Sequence, residues 1–201
     1  MTETRKFDLS GGNAALDFAN TLAWRQSDER RREDLQSYAD LVEWGRQSGI
    51  IDEGEAAALL AAAERHPSRA AEVLEEAKRV RESIFDAFAN VAAGTPVTDE
   101  ALAGLNARLP EALSRLRLEA WDEGVVWTWS PEPALERVLW PVVRRAADLL
   151  TSDRRERVRE CASDTCGWLF IDESRNHSRR WCDMKVCGNR DKVRRYRGRE
   201  R

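Results

Sequence analysis

No apolar stretch in these 201 residues approaches the roughly 18 that a membrane span requires. Residues Met1 to Asp8 are polar and hold no apolar signal core, which points to a cytoplasmic protein. Histidine is scarce: His66 stands before Pro67, and His177 sits in a polar turn. No Gly-rich phosphate loop, nucleophile elbow or zinc-protease signature occurs. The expectation is a protein that is not an enzyme and has no catalytic residues. Cysteine is scarce too, and all four copies fall between positions 161 and 187. In a reducing compartment such a cluster favours metal ligation over disulfides.

What the chain does contain is charge, unevenly placed. Its 33 Lys/Arg and 36 Asp/Glu give a net charge of −3. From Arg154 to Arg201 there are 15 basic and 8 acidic residues, a net of +7; residues 1–153 carry 18 and 28, a net of −10. An acidic body with a basic tail implies that the tail meets an anion. The length suits one medium domain with a small appendage, divided here as 1–152 and 153–201. No low-complexity linker separates them, so a tight joint is expected.

Helical spacing dominates the first 110 residues. Residues 13–25 read as a helix capped by Asn13, with Leu16, Phe18, Ala19, Leu22 and Ala23 on its apolar face. Residues 25–33 are almost all polar and suit an exposed loop. Further helices are expected over 34–47 and over 52–65, closed by His66-Pro67. A stripe from Val73 to Val91 predicts the longest helix, flanked by solvated Arg79 and Arg81, and a short helix runs from Thr98 to near Pro110. The period then changes to two. Leu116, Leu118 and Ala120 alternate with charged residues, and Val125, Trp127 and Trp129 follow the turn at Trp121–Gly124, which predicts a β-hairpin. Helix returns over 133–150 with a bend at Trp140-Pro141. Asp153 then caps a short helix that runs to Cys161, with Glu156 as its reciprocal partner. The fold class is mainly α (α+β): a helical N-terminal domain with a β-hairpin near 115–129, then a small C-terminal finger.

The cysteines are spaced C-x4-C, fifteen residues, C-x4-C. Two such pairs can grip one tetrahedral zinc from two knuckles. Between them Trp168–Ile171 reads as a strand, Ser174–His177 as a turn and Arg179–Trp181 as the returning strand. Cys187 then opens a helix to about Arg197. A knuckle, a hairpin and a ligand at a helix start resemble a treble-clef zinc finger. About forty residues bury too little apolar surface to fold unaided, and a structural zinc supplies on the order of 10 kcal/mol. Four sulfur donors leave no open position for water. Cys161, Cys166, Cys182 and Cys187 are therefore expected to hold a structural Zn2+, with His177 as the one alternative ligand.

From Ser174 to Arg201 there are 11 basic and 3 acidic residues. On a helical wheel Val186, Asn189, Val193 and Tyr196 share a face expected to pack on the finger's hairpin, while Arg190, Arg194, Arg197 and Arg201 share another. Some of this charge would balance the net −2 of a zinc tetrathiolate, and a charge run also suits a merely solvated face. The functional reading makes Arg179, Arg180, Lys185, Arg190, Lys192, Arg194, Arg195 and Arg197 phosphate contacts, with DNA as the expected partner.

Cys-Gly-Asn-Arg at 187–190, between SRNHSRRWCDMKV and DKVRRYR, resembles the CGNR zinc-finger family. CGWLFID at 166–172 matches the first half of that finger. ALDFANTL at 15–22 resembles the opening of the ABATE domain that members of the family carry N-terminally. The resemblance implies zinc binding by the four cysteines and a DNA-binding role in bacterial stress-induced transcription regulators.

Of eight tryptophans, Trp24, Trp44, Trp121, Trp127, Trp129 and Trp140 lie in the acidic body, where they are expected chiefly as core. Aromatic-rich helical domains also form ligand pockets. Asp17, Asn20 and Thr21 share one polar face, suited to bonding neighbouring backbone or to lining a pocket for a small-molecule signal. The leading expectation is a DNA-binding regulator whose acidic domain senses a signal or self-associates as a homodimer. The alternative is a zinc-stapled module that binds protein or RNA without DNA sequence specificity.

Overall fold

The computed structural model describes residues 5–131 and 134–199. Helix α1 (Ala14–Ala19) starts where the Asn13 side chain accepts the Ala15 N–H. It ends well short of the expected Arg25. Thr21 Oγ1 donates back to the Phe18 carbonyl at 2.7 Å, and the Asn20 amide is engaged elsewhere, so the chain leaves the helix. It enters β1 (Leu22–Ala23), which pairs antiparallel with β2 (Arg32–Glu33). The polar stretch between them is the loop of this small hairpin.

Capping boxes place the next two helices. Ser37 and Asp40 cap α2 (Tyr38–Gln47), which begins four residues later than the apolar spacing suggests, and Asp52 and Glu55 cap α3 (Glu53–Arg65). Pro67 opens α4 (Pro67–Ala93) at a position that needs no N–H, and Gly94 closes it. Helix α5 (Asp99–Ser114) runs through Pro110 instead of stopping there. Pro110 and Asn106 are both exposed, so water can satisfy the carbonyl that loses its partner. The expected hairpin forms from β3 (Leu116–Trp121) and β4 (Gly124–Trp129), in register from Leu116↔Trp129 to Trp121↔Gly124. After a 3-10 turn at Leu135–Val138 comes α6 (Leu139–Thr151). Pro141 lies in its first turn, where a missing N–H costs nothing, so it marks a helix start and not a bend.

The expected cap at Asp153 is absent. Asp153–Arg157 is a 3-10 turn with no side-chain cap, and it leads into a strand, β5 (Val158–Glu160), which delivers Cys161. Strand β6 (Leu169–Ile171) pairs with β5, from Val158↔Ile171 to Glu160↔Leu169, not with Arg179–Trp181. Residues 179–181 return as irregular chain, joined to the first knuckle where the Ala162 N–H meets the Arg180 carbonyl at 2.8 Å. A single π-type turn, Met184–Gly188, precedes α7 (Asn189–Arg199). Among the described residues no helix is long and apolar enough to cross a membrane.

The alternation of β6 divides the interior. Leu169 and Ile171 join Val158 in the main core, with Phe18, Trp44, Ile84, Phe88 and Trp140 from α1, α2, α4 and α6. Phe170 points the other way, into a small cluster with the four cysteines. The first strand pair of the finger is thus built into the helical body. Of the tryptophans expected as core, Trp44 and Trp140 are buried, but Trp121 and Trp127 stand in solvent. Arg81 is also not where its spacing suggests: its side chain is 4% exposed and holds Glu33 through two bonds of 2.6 and 2.8 Å.

Polar bonds lock the joint. Asn20 donates through Nδ2 to the Leu169 carbonyl and accepts the Leu169 N–H on Oδ1, both at 2.9 Å. The Ile171 N–H donates to the Gly11 carbonyl at 2.9 Å, and the Gly11 N–H donates to Asp17 Oδ1 at 2.7 Å. The Arg25 N–H meets the Cys166 carbonyl at 3.1 Å.

Asn20→Ala leaves both polar groups of Leu169 without partners in a dry interior, and a loss of about 2–4 kcal/mol is expected in urea unfolding. Asp17 generates a pH dependence. Burial pushes its carboxyl up from 3.8 to about 6, despite the Gly11 N–H, with Asp8 adding to the rise. The folded state then holds a proton that the unfolded state has released. Stability should fall as pH rises from about 4 to about 6, by up to about 3 kcal/mol, and level off above. Asp17→Asn keeps the acceptor and should abolish the decline, matching the parent protein near pH 4 and exceeding it at pH 7.

Candidate metal centre and nucleic-acid interface

The first knuckle opens where β5 hands over Cys161, whose N–H returns to the Trp168 carbonyl at 2.8 Å. Cys166 closes a tight turn on the Ser163 carbonyl, and Gly167, at φ +71°, reverses the chain into β6. The second knuckle carries Cys182 and, from the π-type turn, Cys187. All four cysteines are buried, and their sulfurs lie within 4.8 Å of one another. Cys166 and Cys182 are 3.6 Å apart, and Cys182 and Cys187 are 3.7 Å apart. A disulfide needs about 2.05 Å. A tetrahedral zinc with bonds of about 2.3 Å sets its sulfurs roughly 3.8 Å apart. The donor set therefore fits a closed zinc site. His177 is exposed in the turn, at φ +49°, and is not part of that group. Phe170, Trp24, Trp168 and Trp181 form an apolar collar around the sulfurs.

Two side chains shape the second knuckle. Arg179 stacks on Phe170 at 4.3 Å and donates to the carbonyls of Trp181, Cys182 and Ser10. Its guanidinium is used inside the fold, unlike the phosphate contact expected of it. Asp172 is wholly buried and accepts the Ser174 N–H and hydroxyl at 2.9 and 2.6 Å and the Arg179 N–H at 3.0 Å. Burial raises its carboxyl, but these bonds outweigh that and hold it below its ordinary value. Sequence reasoning passed over Asp172, although Asp172-Glu173-Ser174 is a legible side-chain turn signal.

Asp183 caps the π-type turn by accepting the Val186 N–H at 2.7 Å. At Gly188 an added Cβ would meet Met184 Sδ at 2.6 Å, the end of a flexible, exposed side chain that can swing aside. The packing face of α7 differs from the wheel. Val186, Asn189, Val193 and Tyr196 are exposed, while Cys187, Gly188 and Asp191 are buried. The metal ligand and polar contacts hold the helix, so it needs no apolar stripe. Asn189 Nδ2 donates to the Lys185 carbonyl at 3.0 Å and braces the turn.

The basic residues fall into three groups. Arg190 lies 4.2 Å above the ring of Trp24, and Arg194 pairs closely with Asp164 and, at 2.9 Å, with Asp191. Arg180, stacked on Trp181 at 5.2 Å, is exposed, as are Lys185 and Lys192. The side chains of Arg195 and Arg197 lie outside the described residues. A groove of about 810 Å³ runs between Ser163–Thr165 and α7, with Arg30, Lys185, Arg190 and Arg194 along it. Asp17, Asn20 and Thr21 are buried and each bonds backbone, Asp17 and Asn20 at the joint and Thr21 within its own turn.

The chain has no significant match among the curated proteins. The CGNR zinc finger model matches residues 157–200, the segment that carries all four sulfurs, Asp172 and α7. The ABATE model, described as "Putative stress-induced transcription regulator", matches residues 12–153. With most of its length in that second match and its metal centre in the first, the chain belongs to the ABATE family and ends in a CGNR zinc finger with a structural zinc site.

Proposed function

We propose that this protein is a DNA-binding transcription regulator, not an enzyme, in which zinc sets α7 and its preceding turn against the phosphate backbone. One observation carries the reading. The helix and its preceding turn are buried along a narrow line, Cys187, Gly188 and Asp191, while Lys185 and Arg190 remain exposed along an open groove and Lys192 is exposed on the same helix. Lys185, Lys192 and Arg180 are exposed and pair with no carboxylate among the described residues, and phosphate is an anion that suits such cations. Stacking on Trp24 holds the Arg190 guanidinium at a defined place at the surface, which lowers the entropy lost on contact. Zinc, when bound, supplies no reaction; it offsets half of the thiolate charge and ties the two knuckles together. A signal that altered the helical domain would reach the finger through β5 and β6, which share its core.

The test is the salt dependence of binding to a mixed-sequence duplex, read by fluorescence anisotropy. About four phosphate contacts should give a log–log slope near −3.6, and Lys185→Ala with Lys192→Ala should reduce its magnitude by about 1.8. Affinity that stayed flat with salt would rule phosphate contact out. Selection from a random DNA pool should return a defined motif; a structureless pool would favour the protein- or RNA-binding module.

A further inference from the structure

The hairpin β3–β4 is the least explained part of the molecule. Its base is anchored: Trp129 lies 6.3 Å from Trp140, and Arg144 stacks on Trp127 at 4.9 Å. Beyond the base it projects as a two-stranded ribbon, and neither outer edge meets another strand among the described residues. Leu118, Trp121, Val125, Val126 and Trp127 are each 44 to 67% exposed. An isolated two-stranded hairpin is marginal in water, and open edges with apolar side chains invite pairing.

We propose that this hairpin is a homodimer interface, its occupant the same hairpin of a second copy. Charge favours a second copy over a different partner. In an antiparallel pairing of two β3 edges centred on Leu118, Arg117 of each copy falls opposite Glu119 of the other. The strand is its own charge complement, and the two leucines meet at the axis. In the single chain Arg117 turns back on the carbonyls of Ser114 and Leu116, at 2.7 and 2.9 Å, and pairs with no carboxylate among the described residues. The result is a four-stranded sheet that covers one edge of each hairpin. This inference does not depend on DNA binding.

The experiment is sedimentation velocity on the zinc-loaded full chain without DNA, over about 1 to 100 µM, the range expected for so small an interface. A concentration-dependent dimer is expected. Leu118→Arg, which sets like charges at the axis, should leave only monomer. Arg117→Glu and Glu119→Arg should each do the same, and the double variant R117E/E119R should restore the dimer. These positions are exposed, so unchanged circular dichroism and zinc content would show that the fold is intact. A parent protein that stayed monomeric throughout would overturn the proposal. So would a dimer indifferent to Leu118→Arg, or single swaps that the double variant failed to rescue.

Discussion

Four buried sulfurs within 4.8 Å of one another need a cation between them. As thiolates they repel; as thiols they leave four weak donors crowded without good acceptors. A soft dication resolves the conflict, and much else in the finger exists to bring the sulfurs to it. Gly167 reverses the chain after the first pair, Asp172 gathers the turn between the pairs, Arg179 pins the backbone of the second pair, and Asp183 caps the turn that carries Cys187. Each of these acts on the position of a cysteine.

The metal centre is not a separate bead on the chain. Strand β6 has one face in the helical core and one against the sulfurs, so either side constrains the other. The Asn20 amide copies the pairing of a neighbouring strand on Leu169, and the Arg25 N–H reaches the first knuckle directly. Arg25 is itself held by Glu82 at 2.5 Å and stacked on Phe85 at 4.0 Å, both on α4. The orientation of α7 therefore derives from α1 and α4 as much as from zinc. A helix held this way can present charge at a constant angle, which a finger on a flexible linker cannot do.

Much of this was legible beforehand, for identifiable reasons. Period and caps located α2 to α6, and the alternation at 116–129 located the hairpin, because local propensity and burial agree there. Cysteine spacing announced the metal. Misreadings occurred where tertiary bonds outbid local pattern. Residues 20–25 have helical spacing, but Asn20 and Arg25 are claimed by the finger, so the helix ends early. Pro110 and Pro141 suggest a stop and a bend, but exposure in one case and a first-turn position in the other make them harmless. The wheel for α7 assumed that apolar residues must pack, yet its anchor is a metal ligand and a buried aspartate. The roles of Arg179 and Asp172 depend on contacts with Phe170 and with the turn, which spacing cannot reveal.

The central claim is that zinc site and helical body fold as one unit. Hydrogen exchange on the full chain, with zinc bound and after chelation, tests it most directly. If the two are one unit, the amides of Leu169, Ile171 and α1 lose protection together with those of both knuckles when zinc is removed. If the loss stays confined to the two knuckles, residues 161–167 and 182–190, while α1, β6 and α4 remain protected, the finger is an independent appendage and the fixed presentation of α7 is contradicted.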